Sequence, residues 1–172
     1  MSPSSKRKRR TRAQGLAGQT AAAAPAADWA LAFYATADGR VPAQEFLLDC
    51  PQPVREMLLA ILVAVRDAPP PAFPPSNMWH AMHGDMKGLH EARDAHDGRL
   101  YRVFCLLDSR APENGLDAKA LVLLSAAVKR VGSAMDRKAY DQALANRADY
   151  LKTRRIALPA DPSKRRSTSR PT

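Results

Sequence analysis

Five cationic side chains in the second half of the chain have the chemistry to act together on a phosphate group. They are Lys87, Arg93, Arg102, Lys129 and Arg130. Arginine forks bind phosphate oxygens bidentately. RNA cleavage by 2′-hydroxyl attack requires that the phosphate is bound, that the negative charge on the phosphorane is stabilised and that a proton is transferred. It requires no metal. If the fold brings these cations together, the sequence therefore predicts a phosphate-binding site of this kind.

A β-hairpin is the clearest element that would position two of these cations. Asp97-Gly98 separates two extended runs, Leu89–Asp94 and Leu100–Leu107, and Asp-Gly is a strong hairpin signal. Strand side chains alternate in direction, so Arg102 shares an otherwise apolar face with Leu100, Phe104 and Leu106. A charged side chain on such a face either forms an ion pair or has a functional role. One alternative is that Glu91 pairs with Arg93 or Arg102 and only ties the strands together.

The four histidines, His80, His83, His90 and His96, raise the question of a metal site. Structural zinc sites take four ligands in tight pairs, often with cysteines, and the histidine spacing here matches no such pattern. We therefore predict neither a metal nor another cofactor. His83 is the best placed of the four to act as a general acid or base.

The remaining elements alternate helices and strands around this hairpin. A stripe of apolar residues from Val54 to Val65 predicts an amphipathic helix. Further strands are predicted at Trp29–Thr36 and Ala120–Leu124, and further helices at Ala43–Asp49 and Met135–Leu151. This order predicts an α+β fold with a mostly antiparallel four-stranded sheet, two N-terminal helices on one face and a C-terminal helix.

The net charge of +10 is concentrated at the two ends of the chain. Residues 1–27 hold six basic and no acidic residues, and residues 161–172 hold four basic and one acidic. We predict disordered basic extensions at 1–27 and 159–172 around one domain at 28–158. No signal peptide or membrane span is visible, and two cysteines suit a reducing compartment, so a cytoplasmic protein without membrane contact is expected.

Several pieces, taken in order over about residues 28–155, resemble the phage-derived, HigB-like branch of the RelE/HigB/ParE toxin superfamily. These pieces are Trp29 with Phe33-Tyr34, Asp38-Gly39-Arg40-Val41-Pro42, Glu45-Phe46-Leu47, the run from Met82 to Arg93, Tyr101-Arg102-Val103-Phe104, and Leu123 with Lys129. The resemblance implies a compact microbial-RNase-like domain. It also implies the toxin of a type II toxin–antitoxin pair, a ribosome-dependent mRNA endoribonuclease that inhibits translation.

The resemblance also implies site residues and partners. Arg102 matches the strand arginine that contacts the scissile phosphate, Lys129 and Arg130 match basic residues after the last strand, and Tyr140 lies near a C-terminal tyrosine of some members. The candidate catalytic residues are Arg102, Lys129, Arg130 and Arg93, and the candidate substrate-binding residues are Lys87, His83 and Tyr140. The implied partners are a helix-turn-helix antitoxin, with which the chain would form a hetero-oligomer, the ribosome and mRNA.

The segment before Lys129 departs from this pattern. Many members carry glycine or aromatic residues there, whereas this chain has Ser125-Ala126-Ala127-Val128. Two alternatives therefore stay open. The first is a ParE-like toxin that inhibits DNA gyrase without nuclease activity. The second is an inactive module that binds nucleic acid or a partner through its basic extensions.

Overall fold

A computed structural model describes residues 28–159 as six strands and three helices. The strands are β1 (Trp29–Tyr34), β2 (Trp79–Ala81), β3 (His90–His96), β4 (Arg99–Asp108), β5 (Lys119–Arg130) and β6 (Ile156–Ala157). The helices are α1 (Pro42–Asp49), α2 (Gln52–Asp67) and α3 (Arg137–Thr153). The domain is α+β, and all its strands belong to one sheet.

The sheet has the strand order β2-β3-β4-β5-β1-β6. β1 runs parallel to β5, and every other neighbouring pair is antiparallel. The predicted four-stranded, mostly antiparallel sheet is therefore wrong, because the sheet is six-stranded and mixed. The two unpredicted strands, β2 and β6, have three and two residues, which is too short to show an alternating pattern in the sequence.

Helices cover both faces of the sheet and bury two apolar layers. The first layer joins α1 and α2 to residues such as Phe33, Val103 and Leu123. The second layer lies on the opposite face, where α3 contributes Ala143 and Tyr150. Most of the α2 stripe is buried as its spacing predicts, with Val54, Leu58, Ile61, Leu62 and Val65 turned inward. Met57, which the same spacing includes, is exposed at the edge of the stripe.

The predicted hairpin is formed by β3 and β4. Asp97 and Gly98 both have positive φ values, 47° and 69°, as the two central residues of a type I′ turn require. The predicted alternation along β4 is confirmed. Phe104 and Leu106 lie in the layer beneath α3, whereas Val103 lies in the layer beneath α1 and α2.

β5 is longer than the predicted strand Ala120–Leu124 and continues to Arg130. It pairs with the whole length of β4, and an irregularity in register falls between Phe104 and Cys105. The small residues after Leu124 carry little strand signal of their own, so pairing with β4 extends the strand. As a result, Lys129 and Arg130 belong to the strand instead of following it.

Two ion-paired clusters fasten the C-terminal end of α3 to the sheet. Asp108 accepts hydrogen bonds from the Tyr150 hydroxyl at 3.0 Å and from Arg154 at 2.6 Å. Asp149 accepts hydrogen bonds from the Tyr34 hydroxyl at 2.7 Å and from Arg155 at 2.6 Å. At its other end, α3 begins after Asp136, whose side chain caps the Lys138 backbone N–H. The C-terminal end of α3 is thus tied to β1 and β4, and its first turn is capped locally.

Two further predictions concern the ends of the chain and membrane-spanning helices. The extensions predicted to be disordered, 1–27 and 159–172, lie outside the described residues except for Pro159. Within residues 28–159, no helix combines the length and the apolar character that crossing a bilayer requires.

Candidate functional site

An open pocket of about 420 Å³ lies on the α3 side of the sheet. It is bounded by β2, β3 and β4, by the loop around residues 82–86 and by the start of α3. Its lining residues are His80, Ala81, Met82, His83, Asp85, Met86, Glu91, Arg93, Arg102, Arg137 and Tyr140. Polar and charged side chains from four separate segments of the chain thus meet at one surface.

Glu91 is the centre of this pocket. The residue is only 1% exposed, yet three cationic or titratable side chains contact its carboxylate. Oε2 accepts a hydrogen bond from Arg102 Nη1 at 2.9 Å, while Oε1 lies 2.6 Å from His80 Nε2 and 3.6 Å from Arg93 Nη1. A buried carboxylate needs such partners, because an unpaired charge in the interior is strongly unfavourable.

The register of the sheet explains why these side chains meet. His80 stands opposite Glu91 across β2 and β3, and Arg93 stands opposite Arg102 across β3 and β4. Cross-strand partners point to the same face, and residues two apart on one strand do so as well. The four side chains therefore project from neighbouring positions on a single face.

Arg102 is held tightly and keeps unused donor capacity. Its side chain is 12% exposed, and its Nη1 atom lies 3.5 Å from the Tyr140 hydroxyl. Its Nε atom is buried and makes no hydrogen bond within residues 28–159. The Tyr140 ring packs edge-on against Phe104 with centroids 5.7 Å apart, which fixes the hydroxyl beside the guanidinium.

Arginines on α3 tie the pocket's loop to the helix. Arg137 contacts Asp85 at 3.1 Å and Asp141 at 3.0 Å. Arg147 donates to the backbone carbonyl of Lys87 at 3.0 Å. The first of these contacts lies at the rim of the pocket, so α3 and the loop together define its opening.

Burial lowers the pKa of the two histidines next to Glu91, His80 and His90. Burial lowers the pKa of His80 below its ordinary value, and Arg93 and Arg102 act in the same direction, whereas Glu91 opposes them. Burial also lowers the pKa of His90, and His80 adds to this effect. His90 stacks on Trp79 with ring centroids 5.1 Å apart, on the opposite side of β3 from Glu91. The uncharged forms of both rings are therefore favoured.

The structure brings some of the predicted site residues together and separates others. His83, Arg93, Arg102 and Tyr140 all line the pocket. Lys87 is exposed beside it, and its contact with Arg147 is made by its backbone carbonyl.

The predicted pair Lys129 and Arg130 lies away from this pocket, around a smaller one of about 180 Å³ that also involves Arg99 and Val128. Lys129 is paired with Leu100, so it lies on the same face of the sheet as Arg102. Its ammonium group donates to the backbone carbonyl of Ser133. Arg130 projects to the opposite face.

Besides Glu91, three polar residues of the pocket were not among the predicted site residues: His80, Asp85 and Arg137. His80 and Asp85 lie in a segment without a clear pattern, and the contact of Arg137 with Asp85 joins distant parts of the chain. Glu91 was considered only as a tie between strands. The one signal for its wider role is that Glu91 and Arg93 are two apart on a strand and so share a face.

The arrangement suits the recognition of an anion together with proton transfer. Two arginines present N–H donors next to a histidine whose uncharged form is favoured. Within residues 28–159, no group of three or more His, Cys, Asp or Glu side chains is arranged to hold a metal ion. No protein-family model, curated protein or solved structure matches this chain.

Proposed function

We propose that this chain is a metal-independent endoribonuclease of the RelE/HigB type, the toxin of a type II toxin–antitoxin system. In this proposal it acts in the cytoplasm and cleaves mRNA on the ribosome, so translation stops. The observation that carries the proposal is the pocket in which Arg93 and Arg102 flank Glu91, with His80, His83 and Tyr140 around them.

The chemistry of the pocket supports cleavage of a phosphodiester. Arg102 and Arg93 would hold the phosphate and stabilise the charge that develops on the phosphorane. The Tyr140 hydroxyl lies within 3.5 Å of Arg102 and would add a hydrogen bond to the same group. The combined resemblance of the ordered sequence motifs to the toxin superfamily points to the same reaction.

The proposed partner is a helix-turn-helix antitoxin with an acidic inhibitory segment. Residues 129–160 carry eight basic and three acidic side chains, and charge complementarity speeds and orients association. The toxin–antitoxin pair would form a hetero-oligomer in which the toxin is neutralised.

A second candidate, an inactive binding module, is favoured by one specific contact. Glu91 already occupies Nη1 of Arg102 at 2.9 Å. If that ion pair persists when ligand binds, Arg102 ties β3 to β4 and does not contact a phosphate. The pocket would then bind nucleic acid or a partner without cleaving anything.

The test is induced expression of the full chain in a bacterium, with mapping of mRNA 5′ ends. The proposal predicts growth arrest and mRNA cuts that depend on translation and on Arg102, together with rescue by the small protein encoded next to the toxin gene. Growth arrest with intact mRNA and altered DNA supercoiling would identify a gyrase inhibitor instead. Normal growth with stable, folded protein would support the inactive module.

A further inference from the structure

We infer that His80 is the general base of the cleavage reaction and that Glu91 is the residue that positions it. This inference rests on the proposed ribonuclease function and makes it more specific. A base at this position takes the proton of a ribose 2′-hydroxyl, so the substrate must be RNA at the cut site. The sequence predicts His83 as the general acid or base, whereas the contacts in the structure favour His80.

The contact between His80 and Glu91 determines which nitrogen of the ring is the base. Nε2 lies 2.6 Å from Oε1 of a buried carboxylate. Two unprotonated acceptors do not approach so closely, so the proton of the neutral ring resides on Nε2. Nδ1 is then the nitrogen with a free lone pair. A carboxylate that fixes the tautomer of a histidine in this way is a recurring device in proton-transfer sites.

The position of His80 suits the task. Its side chain is 28% exposed and lines the pocket that also holds Arg93 and Arg102. It is anchored through β2, whose backbone is hydrogen-bonded to β3. The base, the two phosphate-binding arginines and the positioning carboxylate thus lie on three adjacent strands, so their spacing is fixed by the sheet rather than by a loop.

The charged and titratable groups around His80 come from every element packed near it. They are Glu91 and Arg93 on β3, with His90 on the other side of that strand, Arg102 on β4, His83 and Asp85 in the loop, and Arg137 and Tyr140 on α3. Burial and the arginines lower the pKa of His80, and Glu91 acts against them. The ring is therefore uncharged and able to accept a proton at neutral pH.

His83 lacks these features although it lines the same pocket. It is exposed, and within residues 28–159 it makes no ion pair with a carboxylate. Its tautomer is therefore not fixed by a neighbour. His96 contacts Asp97 at 3.4 Å, but it lies at the hairpin turn and not in the pocket. His96 is consequently a suitable control.

The proposed step balances as an internal transesterification. Nδ1 of His80 accepts the 2′-hydroxyl proton, and the 2′-oxygen forms a bond to phosphorus while the bond from phosphorus to the 5′-oxygen breaks. The leaving 5′-oxygen takes a proton from water, which reaches the open pocket. The products are a 2′,3′-cyclic phosphate and a 5′-hydroxyl, and the proton on His80 then returns to solvent.

The first experiment compares single-turnover cleavage of a defined mRNA on translating ribosomes by the full-length wild-type chain, His80→Gln and His96→Gln. We expect His80→Gln to lose about 10²-fold or more in rate, the usual contribution of a positioned base, and His96→Gln to retain the wild-type rate. The wild-type rate should rise with pH as His80 loses its proton, and this dependence should be absent in His80→Gln. An mRNA with a 2′-deoxynucleotide at the cut site should resist cleavage.

The second experiment isolates the role of Glu91. Glu91→Gln removes the negative charge that raises the pKa of His80, so the rise in rate should move to lower pH. Nitrogen-15 NMR of the wild-type protein should show the neutral His80 ring protonated on Nε2. This NMR measurement needs neither activity nor a folded Glu91→Gln variant.

These outcomes separate the inference from the proposed function. If the wild-type chain cuts no mRNA, the proposed function fails and His80 has no such role. If the wild-type chain cuts and His80→Gln cuts equally well with the same pH dependence, only the inference is overturned. A neutral His80 ring protonated on Nδ1 would also overturn it.

Discussion

Nη1 of Arg102 donates to Oε2 of Glu91 at 2.9 Å, across the paired strands β3 and β4. Both side chains are largely buried, at 12% and 2% exposure. This ion pair involves Arg102 both in the stability of the sheet and in the proposed cleavage. A useful test must therefore report on folding and on cleavage separately.

Replacing Arg102 with alanine should abolish most activity and lower stability at the same time. Loss of one preorganised electrostatic contact lowers a rate by about 10²- to 10³-fold. Glu91 keeps His80 and Arg93 as partners, so we expect a loss of about 1–3 kcal/mol in the free energy of unfolding. Cleavage rate and chemical denaturation would be measured, with Arg99→Ala, an exposed position on the same strand, as the control. Full activity in Arg102→Ala would remove Arg102 from the site.

Replacing both partners, Glu91→Leu with Arg102→Met, should separate the two roles. Buried ion pairs replaced by apolar residues of similar size are often neutral or more stable. We expect the double variant to recover most of the stability that Arg102→Ala loses, while cleavage stays undetectable. Recovery of cleavage along with stability would mean that the pair acts only as a tie between strands.

Charge reversal should distinguish Lys129 from Arg130. Lys129 shares the sheet face of Arg102, whereas Arg130 projects to the other face. A lysine that contacts a phosphate contributes about one unit to the salt dependence of binding. Lys129→Glu should therefore weaken RNA binding and reduce its salt dependence by about that amount, and Arg130→Glu should do so less. Equal effects, measured by binding titrations at several salt concentrations, would contradict this assignment.

A methyl group at Gly88 should disturb the contact between the loop and α3. Gly88 has a φ of +90°, and an added Cβ would lie 3.0 Å from Nη2 of Arg147. Gly39 has a similar φ of +84° with nothing within 4 Å of an added Cβ. Both alanine variants carry a backbone penalty of about 1–2 kcal/mol. Gly88→Ala should cost about 1 kcal/mol more, because Arg147 must leave the Lys87 carbonyl. Equal losses in thermal or chemical unfolding would show that Arg147 moves freely.

The cluster around Tyr150 should make the protein sensitive to alkaline pH. Burial, together with the neighbouring Asp108, raises the pKa of Tyr150 to about 12 from an ordinary value of 10.0. A raised pKa means that the folded state favours the protonated phenol. This stabilisation is complete below pH 10 and is lost as the pH rises through about 12.

Tyr150→Phe should flatten that part of the stability profile. The pKa of Tyr34 is raised in the same sense by burial and by Asp149, so Tyr34→Phe serves as the comparison. The measurement is the free energy of unfolding against pH for both variants and the wild type. A Tyr150→Phe profile that matches the wild type would show that Tyr150 does not titrate in this range.

Local signals in the sequence predicted part of this fold well. The Asp97-Gly98 turn and the apolar stripe of α2 depend on neighbouring residues, and both elements form where they were expected. β2, β6 and the second half of β5 are different. β2 and β6 are too short to show an alternating pattern, and the second half of β5 is rich in small and basic residues. These segments are strands because a neighbouring strand supplies their hydrogen bonds, which is information that no short window of sequence contains.

The same difference between local signals and strand pairing explains which residues of the site could be predicted from the sequence. Arg102 stood out because it is a charge on an apolar strand face. His80 could not be connected to Glu91 without β2, since only the pairing of β2 with β3 places them opposite each other. Lys129 and Arg130 were expected together after a strand. Because β5 continues through both, alternation directs them to opposite faces.

The position of β1 has a consequence for the order in which the chain folds. Its two neighbours, β5 and β6, both come late in the sequence. During synthesis, the apolar first strand emerges long before either partner exists, whereas β2, β3 and β4 follow one another and can pair at once. Closing so long a loop is also a slow step in folding. A ribosome that has translated only through β4 therefore carries an unpaired β1 with both edges open to other chains.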